Sequence, residues 1–141
     1  MSKQNVEIKF VKNWPEREII ELYKAGGWWK NHYDPSGIKQ LIQGSFAFAV
    51  VIDIEKGKAI GMGRVISDGI SDAYIQDLVI LPEYRNQGIG KKLVETLLNH
   101  CISNGLLWIG LISEPGKDDF YRSLGFENMK NYVPMRYEKE D

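Results

Sequence analysis

The chain of 141 residues contains a single cysteine, Cys101. One cysteine cannot form an internal disulfide, so the fold cannot depend on such a bond. The sequence also lacks an apolar run long enough to cross a membrane as a helix, and its first residues show no signal-peptide pattern. These absences predict an intracellular, cytoplasmic protein with no membrane partner.

The sequence also lacks an excess of charge of either sign. Lys and Arg number 18 and Asp and Glu number 19, which gives a net charge of −1. Without a basic surface field, nucleic acid is not an expected partner. The two histidines, His32 and His100, have no partner spacing typical of metal ligands, so no metal is predicted.

No internal repeat, low-complexity tract or Pro/Gly/Ser-rich linker divides the chain. Hydrophobic residues make up 43% and charged residues 26%, values that are typical of a soluble globular protein. The expectation is therefore one domain spanning residues 1–141.

Hydrophobic periodicity predicts an α+β fold with a largely antiparallel sheet and one crossover. The first half predicts a strand at VEIKFV, helices at WPEREIIELYKAGG and GIKQLIQGS, and a hairpin that turns at EKGK. The second half predicts a strand at AYIQDLVIL and then a helix with Ile89, Leu93, Leu97 and Leu98 near one face. A strand at GLLWIGLIS and a helix at GKDDFYRSLG, ended by Gly125, are predicted next. The last prediction is a hairpin or pair of strands in FENMKNYVPMRYE.

The stretch RNQGIG, Arg85 to Gly90, places two glycines directly before a predicted helix. A helix start offers unpaired backbone N–H groups and a positive dipole end, which suit a phosphate. A dinucleotide fingerprint would need a third glycine where Leu93 stands, and a P-loop would need a glycine at Arg85. Neither motif fits, which leaves Arg-x-x-Gly-x-Gly after a strand.

Two separated motifs give the chain its resemblance to a known family. DLVILPEYRNQGIGKKLV resembles the strand, loop and helix with which the GNAT superfamily of acetyl-CoA-dependent N-acetyltransferases binds acyl-CoA, and FYRSLGF resembles that family's second signature. The resemblance implies a mixed, mostly antiparallel central sheet flanked by helices, with one parallel strand pair splayed around CoA.

The resemblance implies acetyl-CoA as co-substrate. Backbone groups of Leu78, Val79 and Ile80 are then expected to bind the acetyl-pantetheine arm. The pyrophosphate is expected at the loop and helix start, whose residues are Arg85, Asn86, Gln87, Gly88, Ile89, Gly90 and Lys91.

The implied reaction is attack of a neutral primary amine on the thioester carbonyl through a tetrahedral intermediate. Tyr121 lies where the family places the acid that protonates the leaving thiolate, and packing of its helix is the competing interpretation. Glu114 is the candidate base, although a water chain or a solvated loop acid would fit equally well. Asp77 is a further carboxylate, interpreted as pointing away from substrate.

Strand alternation predicts that Tyr74, Gln76 and Leu78 share one face of their strand, with Ile75, Asp77 and Val79 on the other. The resemblance suggests that the first face looks towards the acceptor. It also places Trp28 and Trp29 at the acceptor wall, where one is expected to line the substrate site and the other to pack in the core.

The expected acceptor is a small-molecule amine or a protein amine, and a homodimer is an open alternative. Three other interpretations fit the same residues: a protein or peptide N-acetyltransferase, an acyltransferase that uses another acyl-CoA, and a non-catalytic CoA-binding module.

Overall fold

The structure is a computed structural model, and it describes residues 5–139. These residues form two compact units, of which the first ends at Leu111 and the second begins at Ile112.

The elements follow the predicted order through most of the chain. They are β1 (Val6–Phe10), α1 (Glu16–Ala25), α2 (Gly37–Gly44), β2 (Ala47–Asp53), β3 (Lys58–Ile66), β4 (Asp72–Ile80), a 3-10 turn (Pro82–Tyr84), α3 (Ile89–Ser103), β5 (Trp108–Gly110) and α4 (Asp118–Arg122).

The strands of the first unit form one five-stranded sheet in the order β1-β2-β3-β4-β5. β1 to β4 pair antiparallel, whereas β4 and β5 pair parallel. Because α3 connects β4 to β5, this pair is the predicted crossover. The α+β class with a mostly antiparallel sheet is therefore confirmed.

The two long helices cover opposite faces of this sheet. A Cβ added to Gly63 would meet Leu97 of α3, whereas the next residue, Arg64, bonds to the same carboxylate as Tyr23 of α1. Successive residues of a strand point to opposite faces, so α3 lies on one face and α1 on the other. The largest fully buried side chains include Ile19, Phe48, Ile60, Met62, Leu93 and Leu97 of the two long helices and the sheet.

Helix α1 follows directly from its sequence. Pro15 precedes its first residue, where a missing N–H costs nothing, and Gly26 follows its last residue. Ile19, Leu22 and Tyr23 recur at helical spacing and are buried against the sheet.

Three predictions for the last third of the chain need correction. β5 is limited to three residues, because its ladder with β4 stops at the pair Tyr74 and Gly110. Helix α4 ends at Arg122 rather than at Gly125, although Gly125 does take a left-handed φ of 101°. The predicted last hairpin is wrong: residues 127–139 contain no strand.

The failed hairpin has a physical reason. Val133, Met135 and Tyr137 alternate as in a strand, yet they are 74%, 90% and 88% exposed. A strand exists only when its backbone groups find a ladder partner, and none is present for them among residues 5–139. Pro134 also removes one backbone donor from the segment.

Candidate active site

Strand β4 carries an irregularity at Asp77. Met62 of β3 pairs with Val79 and Arg64 pairs with Gln76, so Gly63 alone stands opposite Asp77 and Leu78. Asp77 takes a φ of 59°, which is unusual for a residue other than glycine. One extra residue on one strand is a β-bulge, and it exchanges the faces of all residues beyond it.

The bulge overturns the predicted alternation of β4. Leu78 does not share a face with Tyr74 and Gln76, because its Cδ2 would lie 2.6 Å from a Cβ placed on Gly63, on the α3 side. Asp77 was expected to point away from the Gln76 face, yet its carboxylate meets Tyr23 of α1. Both expectations are wrong because strict alternation assumed a regular strand.

Asp77 is the centre of a three-residue cluster. Its Oδ2 accepts a hydrogen bond from the Tyr23 hydroxyl at 2.8 Å and another from Arg64 Nε at 2.6 Å. The Tyr23 side chain is buried, and its pKa is raised by that burial and by the neighbouring Asp77 charge. The phenol therefore stays protonated and remains a donor to the carboxylate.

Beyond the bulge, β4 extends past its ladder with β5. The parallel ladder with β5 covers Asp72 to Tyr74, while β4 itself continues to Ile80. Backbone groups of Leu78, Val79 and Ile80 that point to the β5 side are therefore outside that ladder. An extended ligand could add to this edge as a strand does.

The chain after β4 is fixed by two side-chain contacts. The Tyr84 hydroxyl donates to Asp53 Oδ2 at 2.5 Å, which joins the 3-10 turn to the end of β2. Arg85 Nε donates to the carbonyl of Ile80 at 2.8 Å. Arg85 therefore holds the loop through its side chain, and the Ile80 carbonyl already has one donor.

The loop reaches α3 through two left-handed residues, Asn86 with φ 63° and Gly88 with φ 80°. Nothing lies within 4 Å of a Cβ built on Gly88, so its backbone conformation, rather than crowding, favours glycine there. The first bond into the helix runs from the Lys92 N–H to the Gly88 carbonyl, and the N-cap residue is Gly88, which has no side chain to cap this end. The preceding N–H groups of α3 can therefore face an anion.

Tyr74 and Gln76 are exposed, and their contact with substrate stays a prediction. The Tyr74 ring packs at 5.1 Å from that of Trp108 on β5, and both rings remain partly accessible. A Cβ on Gly110 would clash with the Trp108 ring, so the glycine leaves room for that ring. Trp108 was not predicted as a site residue.

Trp28 and Trp29 are both half-buried, so neither is a core residue in the strict sense. The Trp28 ring packs edge-on against Tyr23 at 6.2 Å and covers Gly26, where a Cβ would lie 2.6 Å from it. Trp29 packs against Tyr33 instead. Trp28 thus contacts the Asp77 cluster through Tyr23, while substrate contact by either tryptophan stays a prediction.

Tyr121 and Glu114 both lie in the second unit. Tyr121 belongs to α4, is half-buried, and packs its ring against Phe120 and Phe126. Burial raises the pKa of its phenol, and the Glu114 charge raises it further. Tyr121 is thus protonated at neutral pH, as a proton donor must be, and the catalytic roles of both residues stay predictions.

Tyr23 and Arg64, like Trp108, were missed by sequence reasoning. Tyr23 lies 54 positions before Asp77 and reads as an ordinary apolar position of α1. Arg64 is a polar residue within an otherwise buried stretch of β3, and that interruption was the one available signal.

Two further observations concern the described residues as a whole. Residues 5–139 contain no group of three or more His, Cys, Asp or Glu side chains arranged to hold a metal ion. None of the helices in that range is long and apolar enough to cross a membrane. Cys101 is buried, and burial raises the pKa of its thiol, which makes it a poor nucleophile.

A family model described as "Acetyltransferase (GNAT) domain" matches residues 45–128, more than half of the chain and including residues from both units. The chain belongs to the GNAT acetyltransferase family. It is 33% identical over 123 residues to GCN5-related N-acetyltransferase 2, chloroplastic, of Arabidopsis thaliana, covering 81% of this chain and 45% of that protein. It is 32% identical over 114 residues to a histone acetyltransferase of Glycine max, covering 81% and 46%. The chain spans about half the length of the curated relatives it matches.

Solved structures agree with this assignment. A GNAT-family acetyltransferase from Streptococcus pneumoniae superimposes with a TM-score of 0.80 at 27% identity, covering 97% of this chain and all of that one. Glucosamine-6-phosphate N-acetyltransferase from Arabidopsis thaliana gives a TM-score of 0.75 at 19% identity, covering 95% and 99%, and is similar in fold alone.

Proposed function

We propose that this chain transfers an acetyl group from acetyl-CoA to a primary amine. The observation that carries the proposal is the left-handed Gly88 at the start of α3, which follows the part of β4 that lies outside the ladder with β5. The helix start suits the CoA pyrophosphate, and the strand edge suits the amide groups of pantetheine. Membership of the GNAT family supports acetyl-CoA as the donor.

The proposed chemistry is direct transfer. The amine nitrogen attacks the thioester carbonyl, a C–N bond forms, the C–S bond breaks, and CoA leaves as a thiolate. A backbone N–H within Leu78 to Ile80 stabilises the oxyanion. The amine proton leaves through Glu114 or water, and the Tyr121 hydroxyl returns a proton to the thiolate sulfur.

Relatives support an amine as the acceptor class. They include the histone acetyltransferase named above and a serotonin N-acetyltransferase of Oryza sativa, 33% identical over 70 residues, covering 50% of this chain and 35% of that protein. Several relatives are named chloroplastic, and a cytoplasmic location for this chain stays a prediction.

The direct test is release of CoA thiol from acetyl-CoA over a panel of small amines and lysine peptides. Turnover with an amine, and none without one, is the expected result. Tight CoA binding without turnover on any amine would instead support the non-catalytic CoA-binding module.

The loop is tested by Gly88→Val. A β-branched residue resists the left-handed backbone of Gly88, so the donors at the start of α3 shift and CoA binding should be lost in calorimetry. Gly105→Val is the matched control, because Gly105 has a φ of 79°, has no atom near a built Cβ, and lies at the other end of α3. Unchanged CoA affinity in Gly88→Val would remove the loop from the site.

The acid role is tested by Tyr121→Phe, which keeps the ring and its packing. Loss of a general acid should lower kcat by about ten- to a thousandfold, with acetyl-CoA affinity and melting temperature nearly unchanged. Tyr132→Phe, at an exposed tyrosine of the same unit, is the control. Activity of Tyr121→Phe within about twofold of the parent would withdraw the assignment where chemistry limits the rate.

A further inference from the structure

We propose that Tyr23, Asp77 and Arg64 form a positioning clamp that fixes the backbone of β4 where it is proposed to hold the acetyl thioester. This inference rests on the proposed function. None of the three residues needs to touch either substrate in this role, because they act through the strand.

The clamp is defined by its contacts. Two donors converge on a single carboxylate oxygen of Asp77: the Tyr23 hydroxyl and Arg64 Nε. One comes from α1 and the other from the neighbouring strand β3, so the carboxylate is held from two elements. The Arg64 and Asp77 side chains are only 18% and 20% exposed, which limits screening of their attraction by water.

The clamp and the bulge depend on each other. A regular strand would point the Asp77 side chain to the α3 face, beside Leu97, which lies close to Gly63. A carboxylate in that apolar layer would lack partners and be costly. The bulge moves Asp77 to the α1 face, and the two hydrogen bonds offset the cost of its left-handed backbone.

The clamp affects the orientation of the β4 residues that follow Asp77. The peptide after Asp77 carries the N–H of Leu78, the first of the groups proposed to meet the acetyl-pantetheine. A change in the Asp77 backbone would rotate this peptide and re-aim that N–H. The clamp therefore sets the orientation of the N–H donors at the thioester carbonyl. Hydrogen bonds from these donors become stronger in the transition state, where the carbonyl oxygen gains negative charge.

The clamp also contacts the acceptor wall. The Trp28 ring packs against Tyr23, which in turn bonds to Asp77. Movement of the segment after α1 can therefore reach the bulge through one side chain. This gives a physical link between the predicted acceptor wall and the strand edge.

The kinetic experiment compares three variants with the parent, using acetyl-CoA and an amine that the parent acetylates. Asp77→Gly keeps the left-handed backbone but removes the acceptor, and Tyr23→Phe removes one donor. Both should lower kcat by roughly ten- to a hundredfold, the cost of a small misplacement of reacting groups, with KM for acetyl-CoA nearly unchanged. Asp77→Asn tolerates the same backbone and keeps an acceptor oxygen, so it should recover most of the lost kcat.

A merely structural role predicts a different pattern. The variants would then melt earlier, while kcat measured well below the melt would match that of Tyr132→Phe, the control in the second unit. Unchanged kcat in Asp77→Gly would overturn the clamp, as would equal losses in Asp77→Asn and Asp77→Gly.

Amide hydrogen exchange tests the clamp without any reaction. Peptides covering Leu78 to Ile80 should exchange faster in Asp77→Gly and Tyr23→Phe than in the parent, whereas peptides from the middle of α3 should not. If the parent turns over no thioester, the proposed function fails, and exchange alone decides the clamp. Unchanged exchange in both variants would overturn it.

Discussion

Two pairs of tyrosine and aspartate in this molecule have the same chemistry and different surroundings. Tyr84 donates to Asp53 at 2.5 Å, and Tyr23 donates to Asp77 at 2.8 Å. Asp53 is 2% exposed and its other oxygen accepts the N–H groups of Glu55 and Lys56. Asp77 has a cation, Arg64, as its second partner, and a left-handed backbone.

The difference shows what each pair can do. Asp53 accepts hydrogen bonds from three neutral donors, two N–H groups of the β2–β3 turn and the hydroxyl of the 3-10 turn, so it joins two turns and stabilises the fold. Asp77 lies inside a strand, at the one register shift between β3 and β4, so a change in its contacts alters the course of that strand. The first pair should therefore affect stability, and the second should affect catalysis.

The largest effect is expected for Asp53→Ala. This change removes the acceptor of two part-buried backbone N–H groups and of the buried Tyr84 hydroxyl, and should lower the melting temperature by roughly 10 °C. Asp68→Ala is the control, since the exposed Asp68 also accepts a turn N–H, that of Ile70. Equal melting shifts in thermal denaturation would show that burial of Asp53 adds nothing.

A sharper comparison is Tyr84→Phe against Tyr23→Phe. Tyr84→Phe should lower the melting temperature by roughly 5 °C, since it removes one hydrogen bond to a buried carboxylate. Because Tyr84 immediately precedes Arg85, CoA affinity should also weaken, while kcat at saturating acetyl-CoA should hold. Tyr23→Phe should instead lower kcat, with CoA affinity and melting temperature nearly unchanged. Calorimetry, thermal melts and steady-state kinetics on both proteins measure these changes. The same pattern in the two variants would show that the two pairs do not differ in their roles.

The contrast also explains which parts of the site were predictable from sequence. The loop from Arg85 to Gly90 was predictable because helix starts and left-handed glycines depend on local chain chemistry, and Gly88 does take a positive φ. The order of strands and helices in the first unit followed from hydrophobic periodicity in the same way. Local patterns are sufficient where the structure is decided locally.

The clamp was not predictable because its contacts are long-range. The residues near Asp77 in the sequence do not indicate a bulge, and Tyr23 contacts Asp77 from a helix far earlier in the chain. The failed C-terminal hairpin has the opposite cause. The alternation of Val133, Met135 and Tyr137 is present, yet a local pattern cannot supply the partner strand that a ladder requires.

The smallest effect, and the most specific, is the pH dependence of the Tyr84 and Asp53 pair. The Tyr84 hydrogen bond is the main reason that the pKa of Asp53 lies below its ordinary value. A depressed carboxyl pKa contributes stability that is present above the unfolded pKa of about 4 and is lost as pH falls through the folded pKa. The same bond, followed by burial, raises the pKa of Tyr84 to about 12. A raised phenol pKa contributes stability that is present below the unfolded value of about 10 and is lost as pH rises towards the folded value.

The difference in melting temperature between the parent and Tyr84→Phe should therefore form a plateau between about pH 5 and pH 9. It should shrink below about pH 4, where Asp53 is protonated first in the unfolded state and, as pH falls further, in the folded state as well. It should shrink again above about pH 10, where the unfolded parent ionises its phenol and the Phe variant has none to ionise. Thermal melts of both proteins across this range measure the difference directly. Asp68→Ala, at an exposed turn, should show no such plateau with two flanks. A difference that stays constant from acid to alkali would mean that packing of the Tyr84 ring, rather than its bond to Asp53, holds the turn in front of the loop.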